Sequence, residues 1–242
     1  MEKTCSACIP LFKVLSIPVF FILYLFTALS VMIALPLAWL KMKAVVRGMI
    51  EMWSRTAFLL MGKRLKVQGR KHITKGKPCI LVANHSSMFD ILAIMAVYPG
   101  VVWFGREHLL KVPVFGSFLK MLNYIPMKAG DLANARGTVR VLAEYAGRHT
   151  IAMFPEGTRT TDGKMNRLRK GFIHVQRTTH LDILPVTLRG FFRFKPKTQY
   201  WIDFGSKLGV VVHPSIASEE LAGMDDQEIL DRVRTLIGSA LP

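Results

Sequence analysis

Residues 14–40, VLSIPVFFILYLFTALSVMIALPLAWL, form 27 consecutive positions without a charged side chain, between Lys13 and Lys41. About 20 apolar residues in a helix cross the hydrocarbon core of a bilayer, so the run is long enough to span with some tilt. A cleaved leader fits poorly, because its apolar stretch would be about 7–15 residues long and followed by a small-x-small site. Pro18 and Pro36, near the ends, are expected to kink this helix or to mark where it starts and stops. A spanning helix and a re-entrant membrane-embedded helix both fit, with a buried helix of a soluble core as the alternative.

The next stretch, KMKAVVRGMIEMWSRTAFLLMGKRLK, alternates Lys41, Lys43, Arg47, Glu51 and Arg55 with Val45, Met49, Met52, Trp53 and Leu59. That spacing predicts a second, amphipathic helix near the headgroups, followed by the basic cluster Lys63, Arg64, Lys66, Arg70 and Lys71. Residues 1–62 are therefore expected to form a two-helix membrane-anchoring region, with a second domain over 63–242.

From about residue 65 short apolar runs alternate with helical patterns. PCILVA, GVVWFG, NYIP, TIAMF, DILPVTL, QYWIDFG and LGVVVH read as strands. MFDILAIMAV, most of EHLLKVPVFGSFLKML, DLANARGTVRVLAEYAG, KGFIHVQRT and the closing SEELAGMDDQEILDRVRTLIG read as helices. Such alternation predicts an α/β fold: a mixed, largely parallel sheet flanked by helices.

The formal charge is +17, from 33 Lys and Arg against 16 Asp and Glu, and six of those acids fall in the last 24 residues. The rest of the chain is thus strongly basic, which suits an anionic membrane surface, an anionic small substrate or nucleic acid. Against nucleic acid, no recognisable binding module is present. Cys5, Cys8 and Cys79 are too few for a disulfide framework, and CSAC lacks a second pair at zinc-site spacing.

Two polar clusters follow apolar strands at equivalent places: NHSSMFD after the run ending near Val82, and PEGTR after the run ending near Phe154. In open α/β sheets ligands bind beyond the carboxyl ends of the strands, so the two clusters could converge on one pocket. His85 can serve as a general base if one ring nitrogen faces a substrate proton and the other donates to Asp90. Ser86 and Ser87 are candidate nucleophiles, though no G-x-S-x-G elbow is present; a substrate hydroxyl would fill the same role. The alternative for the whole cluster is a turn whose Asn84, Ser86 or Ser87 caps a helix. In FPEGTRT, Gly157 permits a positive φ, and the planar fork of Arg159 suits phosphate oxygens, with Thr158 as a further donor. Glu156 could bind a polyol hydroxyl or brace the loop, and a surface ion pair with Arg159 is the plainer reading.

These blocks resemble the glycerolipid acyltransferases of the phosphatidate-forming type, the 1-acyl-glycerol-3-phosphate acyltransferases. NHSSMFD is similar to the family's first block, which puts the base on His85 and its orienting carboxylate on Asp90. FGREHLLKVPVFG and IPMK resemble the second, with Arg106, Pro113, Gly116 and Lys128. FPEGTRT resembles the third, landing on Glu156, Gly157, Thr158 and Arg159; LRKGF through ILPV resembles the last, with Lys170, Gly171 and Pro185. The departures are Leu168, where an aromatic is common, and Lys128, where arginine is frequent.

The resemblance implies transfer of a fatty acyl group from acyl-CoA or acyl-carrier protein to the 2-hydroxyl of a lysophosphatidate. The acceptor phosphate would lie on Arg159, Arg106 and Lys128. It also implies an acyltransferase domain over 63–242 on the cytoplasmic face of the cell membrane, anchored in the lipid bilayer, with neither a metal nor a cofactor. A different lysolipid acceptor, a Ser86 or Ser87 hydrolase and a non-catalytic membrane tether are the alternatives.

Overall fold

A computed structural model of the chain describes residues 8–74, 76–112, 116, 119–120, 124–127 and 145–241. Helix α1, Ile9–Trp39, opens with Pro10 in its first turn, where a missing N–H costs nothing. It starts earlier than residue 14, and Pro18 and Pro36 lie inside it rather than at its limits. The hydroxyls of Ser16, Thr27 and Ser30 donate back to the carbonyls of Phe12, Leu23 and Phe26. Such back-bonding keeps polar groups satisfied within an apolar helix. Only Ser16, Leu23, Val31 and Ala34 of α1 are buried, whereas Ile17, Phe21 and Met32 are exposed. Among the described residues α1 is the one helix long and apolar enough to cross a membrane.

Helix α2, Lys43–Leu60, buries Val46, Ile50, Trp53, Ala57 and Phe58, a stripe at helical spacing. That stripe packs against α1 on one side and against α3, Asp90–Val97, on the other. Trp53 donates from Nε1 to Thr27 Oγ1 at 3.3 Å, and Arg55 donates from Nε to Ala96 O at 3.2 Å while pairing with Glu51. The amphipathic pattern of α2 thus joins α1 to the rest of the protein.

Strands β1 (Lys66–Gln68), β2 (Ile80–Ala83), β3 (Val102–Arg106), β4 (Ile125–Met127), β5 (Ile151–Met153), β6 (Ile183–Arg189) and β7 (Gly209–Val212) form one sheet in the order β1-β7-β6-β2-β5-β3-β4. All neighbours are parallel except β6 and β7. The central strands β2 and β5 are buried at every residue, which explains their unbroken apolar runs. Alternate side chains go to opposite faces. Leu81, Ala152, Leu184 and Val186 pack with Phe58 and Ile94 from α2 and α3. Ile80, Val82, Ile151 and Ile183 pack with Phe172, Ile173, Ile229 and Val233 from α4, Gly171–Thr179, and α7, Asp226–Ser239. The core is therefore split into two layers by the sheet.

Several elements differ from expectation. QYWIDFG is not a strand but a turn-rich segment, because Asp203 is buried against Arg193 and Ile202 is buried beside α1. The closing acidic stretch is two helices, α6 (Ser218–Ala222) and α7, since Asp225 and Glu228 form a capping box that begins α7 afresh. Helix α5, Phe191–Phe194, and strand β1 were not anticipated. EHLLKVPVFGSFLKML begins as a 3-10 turn, Glu107–Lys111. Most of DLANARGTVRVLAEYAG, and Pro113 and Lys128, lie outside the described residues.

Candidate active site

Strands β2 and β5 are parallel neighbours, so the polar clusters that follow them open side by side at the carboxyl edge of the sheet. Three side chains hold the turn after β2. Asn84 extends the ladder with its side chain, accepting at Oδ1 from Leu188 N (2.7 Å) and donating from Nδ2 to Leu188 O (3.0 Å). Ser87 Oγ donates to Lys195 O at 2.8 Å. Asp90, fully buried at the first position of α3, turns its carboxylate back over the chain. Its Oδ2 accepts from Ser86 N (2.6 Å), Ser87 N (2.8 Å) and the His85 ring at Nδ1 (2.9 Å). An acid in the first turn of a helix is also favoured by the helix dipole.

This geometry fixes the His85 tautomer. A carboxylate only accepts, so Nδ1 carries the hydrogen donated to Asp90, and in the neutral ring the lone pair is then on Nε2. The ring stacks on Phe154 with centroids 4.0 Å apart and planes 11° apart, and Phe154 in turn lies 5.4 Å from Trp103. Three neighbouring strands, β2, β5 and β3, thus contribute one ring each to a single column. His85 retains only partial exposure, 17% of its side chain. Asp90 Oδ1 and Trp103 Nε1 are buried with no hydrogen-bond partner among the described residues.

The loop after β5 grips the main chain of His85 from both sides. His85 N–H donates to Glu156 Oε1 at 2.7 Å, and Thr160 N–H donates to His85 O at 3.0 Å. The other oxygen of Glu156 accepts from Asn166 N at 2.8 Å. The carboxylate of Glu156 thus braces the loop, and it makes no ion pair with Arg159 among the described residues. Burial pushes the Glu156 carboxyl up, against the lowering effect of these two N–H groups. Gly157 adopts φ +71°, and a Cβ there would press on the Arg169 guanidinium at 3.2 Å. Thr158 is exposed.

Arg159 is half-buried and forms no ion pair among the described residues. Its charge reaches the buried Lys195 ammonium, whose pKa is lowered by burial first and by Arg159 second. Arg106 closes β3, two strands from β2. Phe154, Asn166 and Lys195 are the site residues that sequence reasoning missed, and the sequence offers Asn84 only as a possible cap. Asn84 and Phe154 lie inside the two polar blocks, NHSSMFD and FPEGTRT, whereas Asn166 and Lys195 carry no local signal. Among the described residues no three His, Cys, Asp or Glu side chains gather in a way that could hold a metal ion.

Fold and site together define a class: an α/β protein presenting a carboxylate-oriented histidine and a basic, glutamate-braced loop at the same sheet edge. The Acyltransferase family model matches residues 64–189, just over half of the sequence and all of these features. The chain belongs to that acyltransferase family. It is similar to a 1-acyl-sn-glycerol-3-phosphate acyltransferase of Limnanthes douglasii, 32% identical over 150 residues that cover 57% of this chain and 52% of that protein. The alpha form of the same enzyme from Homo sapiens is 28% identical over 178 residues, covering 72% and 62%. The chain spans about half the length of the first curated relatives it matches. The crystal structure of the 1-acyl-sn-glycerophosphate acyltransferase PlsC from Thermotoga maritima shares the fold, with a TM-score of 0.81 over 94% of each chain at 23% identity.

Proposed function

We propose that the protein transfers a fatty acyl group from acyl-CoA or acyl-carrier protein to the 2-hydroxyl of 1-acyl-glycerol-3-phosphate, giving phosphatidate. The observation that carries this reading is the His85–Asp90 contact, with the His85 main chain clamped by the loop that bears Arg159. His85 Nε2 takes the proton of the acceptor hydroxyl as its oxygen attacks the thioester carbonyl. Asp90 stabilises the imidazolium that forms and keeps the ring in register. The tetrahedral intermediate collapses, the C–S bond breaks, and the departing thiolate takes the proton back from His85.

Arg159 meets the acceptor phosphate with its guanidinium fork, joined by Arg106 and Lys128, while Gly157 and Thr158 shape the loop around the head group. Residues 1–62 anchor the protein in the bilayer, and residues 63–242 form the acyltransferase domain on the cytoplasmic face of the membrane. The exposed apolar surface of α1 supports the anchor. A hydrolase with Ser86 or Ser87 as nucleophile is the weaker reading, because the Ser87 hydroxyl is committed to the Lys195 carbonyl and the Ser86 hydroxyl makes no hydrogen bond to the His85 ring among the described residues.

The test is purified full-length protein supplied with lysophosphatidate or with a panel of other lysolipids, each with acyl-CoA and with acyl-carrier protein. Phosphatidate formation at the highest kcat/KM is the expected result. Faster acylation of an acceptor lacking the phosphomonoester would overturn the assignment.

A further inference from the structure

Tyr200 is the most exposed large apolar side chain among the described residues, at 91%. It is not on slack chain. Lys195 Nζ donates to Gln199 O, Gln199 Nε2 donates to Trp201 O at 2.7 Å, and Asp203 N donates to Phe194 O at 2.9 Å. The fully buried Asp203 carboxylate accepts from Arg193 Nε at 3.0 Å. The loop is thus braced on both sides of an aromatic side chain that touches almost nothing.

The same loop is fastened to the first turns of α1. Ile202 N–H donates to the buried Ser16 hydroxyl at 2.8 Å. Phe12 packs on Trp201 and Phe204, with ring centroids 6.2 and 5.6 Å away. On those turns of α1, Leu11 and Leu15 are exposed, one helical turn apart on one face. Lys13 on α1 and Lys197 on the loop are both exposed and add positive charge to the two segments.

We infer that the loop 195–204 is a second bilayer contact, with Tyr200 seated in the headgroup layer of an anionic membrane alongside the N-terminal end of α1. Tyrosine suits that layer because its ring is apolar and its hydroxyl remains wet, and lysines beside it meet anionic headgroups. Fixing the loop beforehand removes the ordering entropy that a flexible loop would lose on docking. The contact also reaches the site: Ser87, in the turn that holds His85, donates to Lys195 O at the root of this loop. Seating Tyr200 on the membrane therefore sets the height of the His85 turn above the layer from which an amphiphilic acceptor would arrive. The inference rests on the membrane reading of α1 but not on the identity of the acceptor.

The test places a nitroxide at Tyr200→Cys in the full chain carrying Cys5, Cys8 and Cys79 as serine, bound to vesicles of equal parts phosphatidylcholine and phosphatidylglycerol. Ile22→Cys on α1 and Gln227→Cys on α7 serve as embedded and aqueous references. Higher accessibility to oxygen than to a water-soluble nickel chelate at position 200, as at 22 and unlike 227, is the expected result. A label at 200 as aqueous as that at 227 overturns the inference. If 22 alone is embedded, the loop contact fails and the anchor stands; if 22 is aqueous as well, the anchor reading fails with it. On the otherwise native chain, Tyr200→Ser should raise the KM for a vesicle-borne acceptor several-fold and leave that for a short-chain soluble acceptor unchanged. Equal KM values for wild type and variant on vesicles would contradict the inference too.

Discussion

Glu156 accepts a hydrogen bond from the backbone N–H of His85 at 2.7 Å, across a sequence separation of 71 residues. The turn with the histidine and the loop with Arg159 are therefore one mechanical unit: Asp90 aims the ring and Glu156 aims the backbone beneath it. Glutamine at 156 keeps one acceptor oxygen and loses the other, so either His85 N–H or Asn166 N–H is left unpaired. A buried donor left unsatisfied costs about 1–3 kcal/mol. Glu156→Gln should lower stability by that order in urea unfolding and reduce turnover, through a displaced His85.

The same variant carries a pH signature. The Glu156 carboxyl is pushed up by burial, so ionising it in the folded protein costs more than in the unfolded chain. Its contribution is present in full below the unfolded value, about 4.3, and is lost as pH rises through the raised folded value. Glutamine has no such loss. The stability gap between wild type and Glu156→Gln should thus be widest at acid pH and narrow toward neutrality; a gap that widens with pH would contradict the burial argument.

Asp90→Asn tests orientation without removing bulk. Oδ2 accepts three N–H groups, and asparagine can retain them only by placing its amide nitrogen where the unpartnered Oδ1 is buried. The negative charge opposite the imidazolium is lost in either rotamer. Turnover should fall on the order of 10³–10⁴-fold with the fold retained, as measured by kcat alongside circular dichroism.

The serines separate direct attack by substrate from a covalent route. Ser87→Ala removes the bond to the Lys195 carbonyl and should cost about 1 kcal/mol of stability. The Ser86 hydroxyl makes no hydrogen bond to the His85 ring among the described residues, so Ser86→Ala leaves the ring's contacts in place. Each variant should keep substantial activity, and no serine-linked acyl species should accumulate by mass spectrometry. Complete loss in either would revive the covalent route.

Arg159→Lys keeps charge but loses the planar fork. Binding energy used to align the acceptor should appear in both the acceptor KM and kcat, with the KM for the thioester little changed. Steady-state kinetics varying each substrate separately reads this directly. Unchanged acceptor KM and kcat in a folded variant would remove Arg159 as the phosphate clamp.

Much of this was legible because it is local. The unbroken apolar runs ILVA and IAM and the pairing of His85 with Asp90, five residues on, are each contained in one short stretch of chain. What was missed is set by distant partners. Pro18 and Pro36 could be read as kinks or as helix limits, and α1 runs through both, so they are not its limits. Gln199–Gly205 alternates like a strand, but the contact with Ser16, 186 residues from Ile202, and the Arg193–Asp203 ion pair hold it in turns. Asn84 serves as an extra rung on β6, 104 residues away, and no local pattern announces that. The split between α6 and α7, by contrast, was readable from Asp225 and Glu228 as a capping box.

The central claim is that His85 Nε2 is the base. The most direct measurement is the rate of lysophosphatidate acylation by full-length His85→Ala, reconstituted in vesicles and shown to be folded. Alanine also removes the stacking on Phe154 and one N–H partner of Asp90, so the variant should be somewhat less stable; loss of a general base costs about 10²–10⁴-fold, and turnover should drop by that factor in protein that is still folded. Near wild-type turnover by the folded variant would contradict the account.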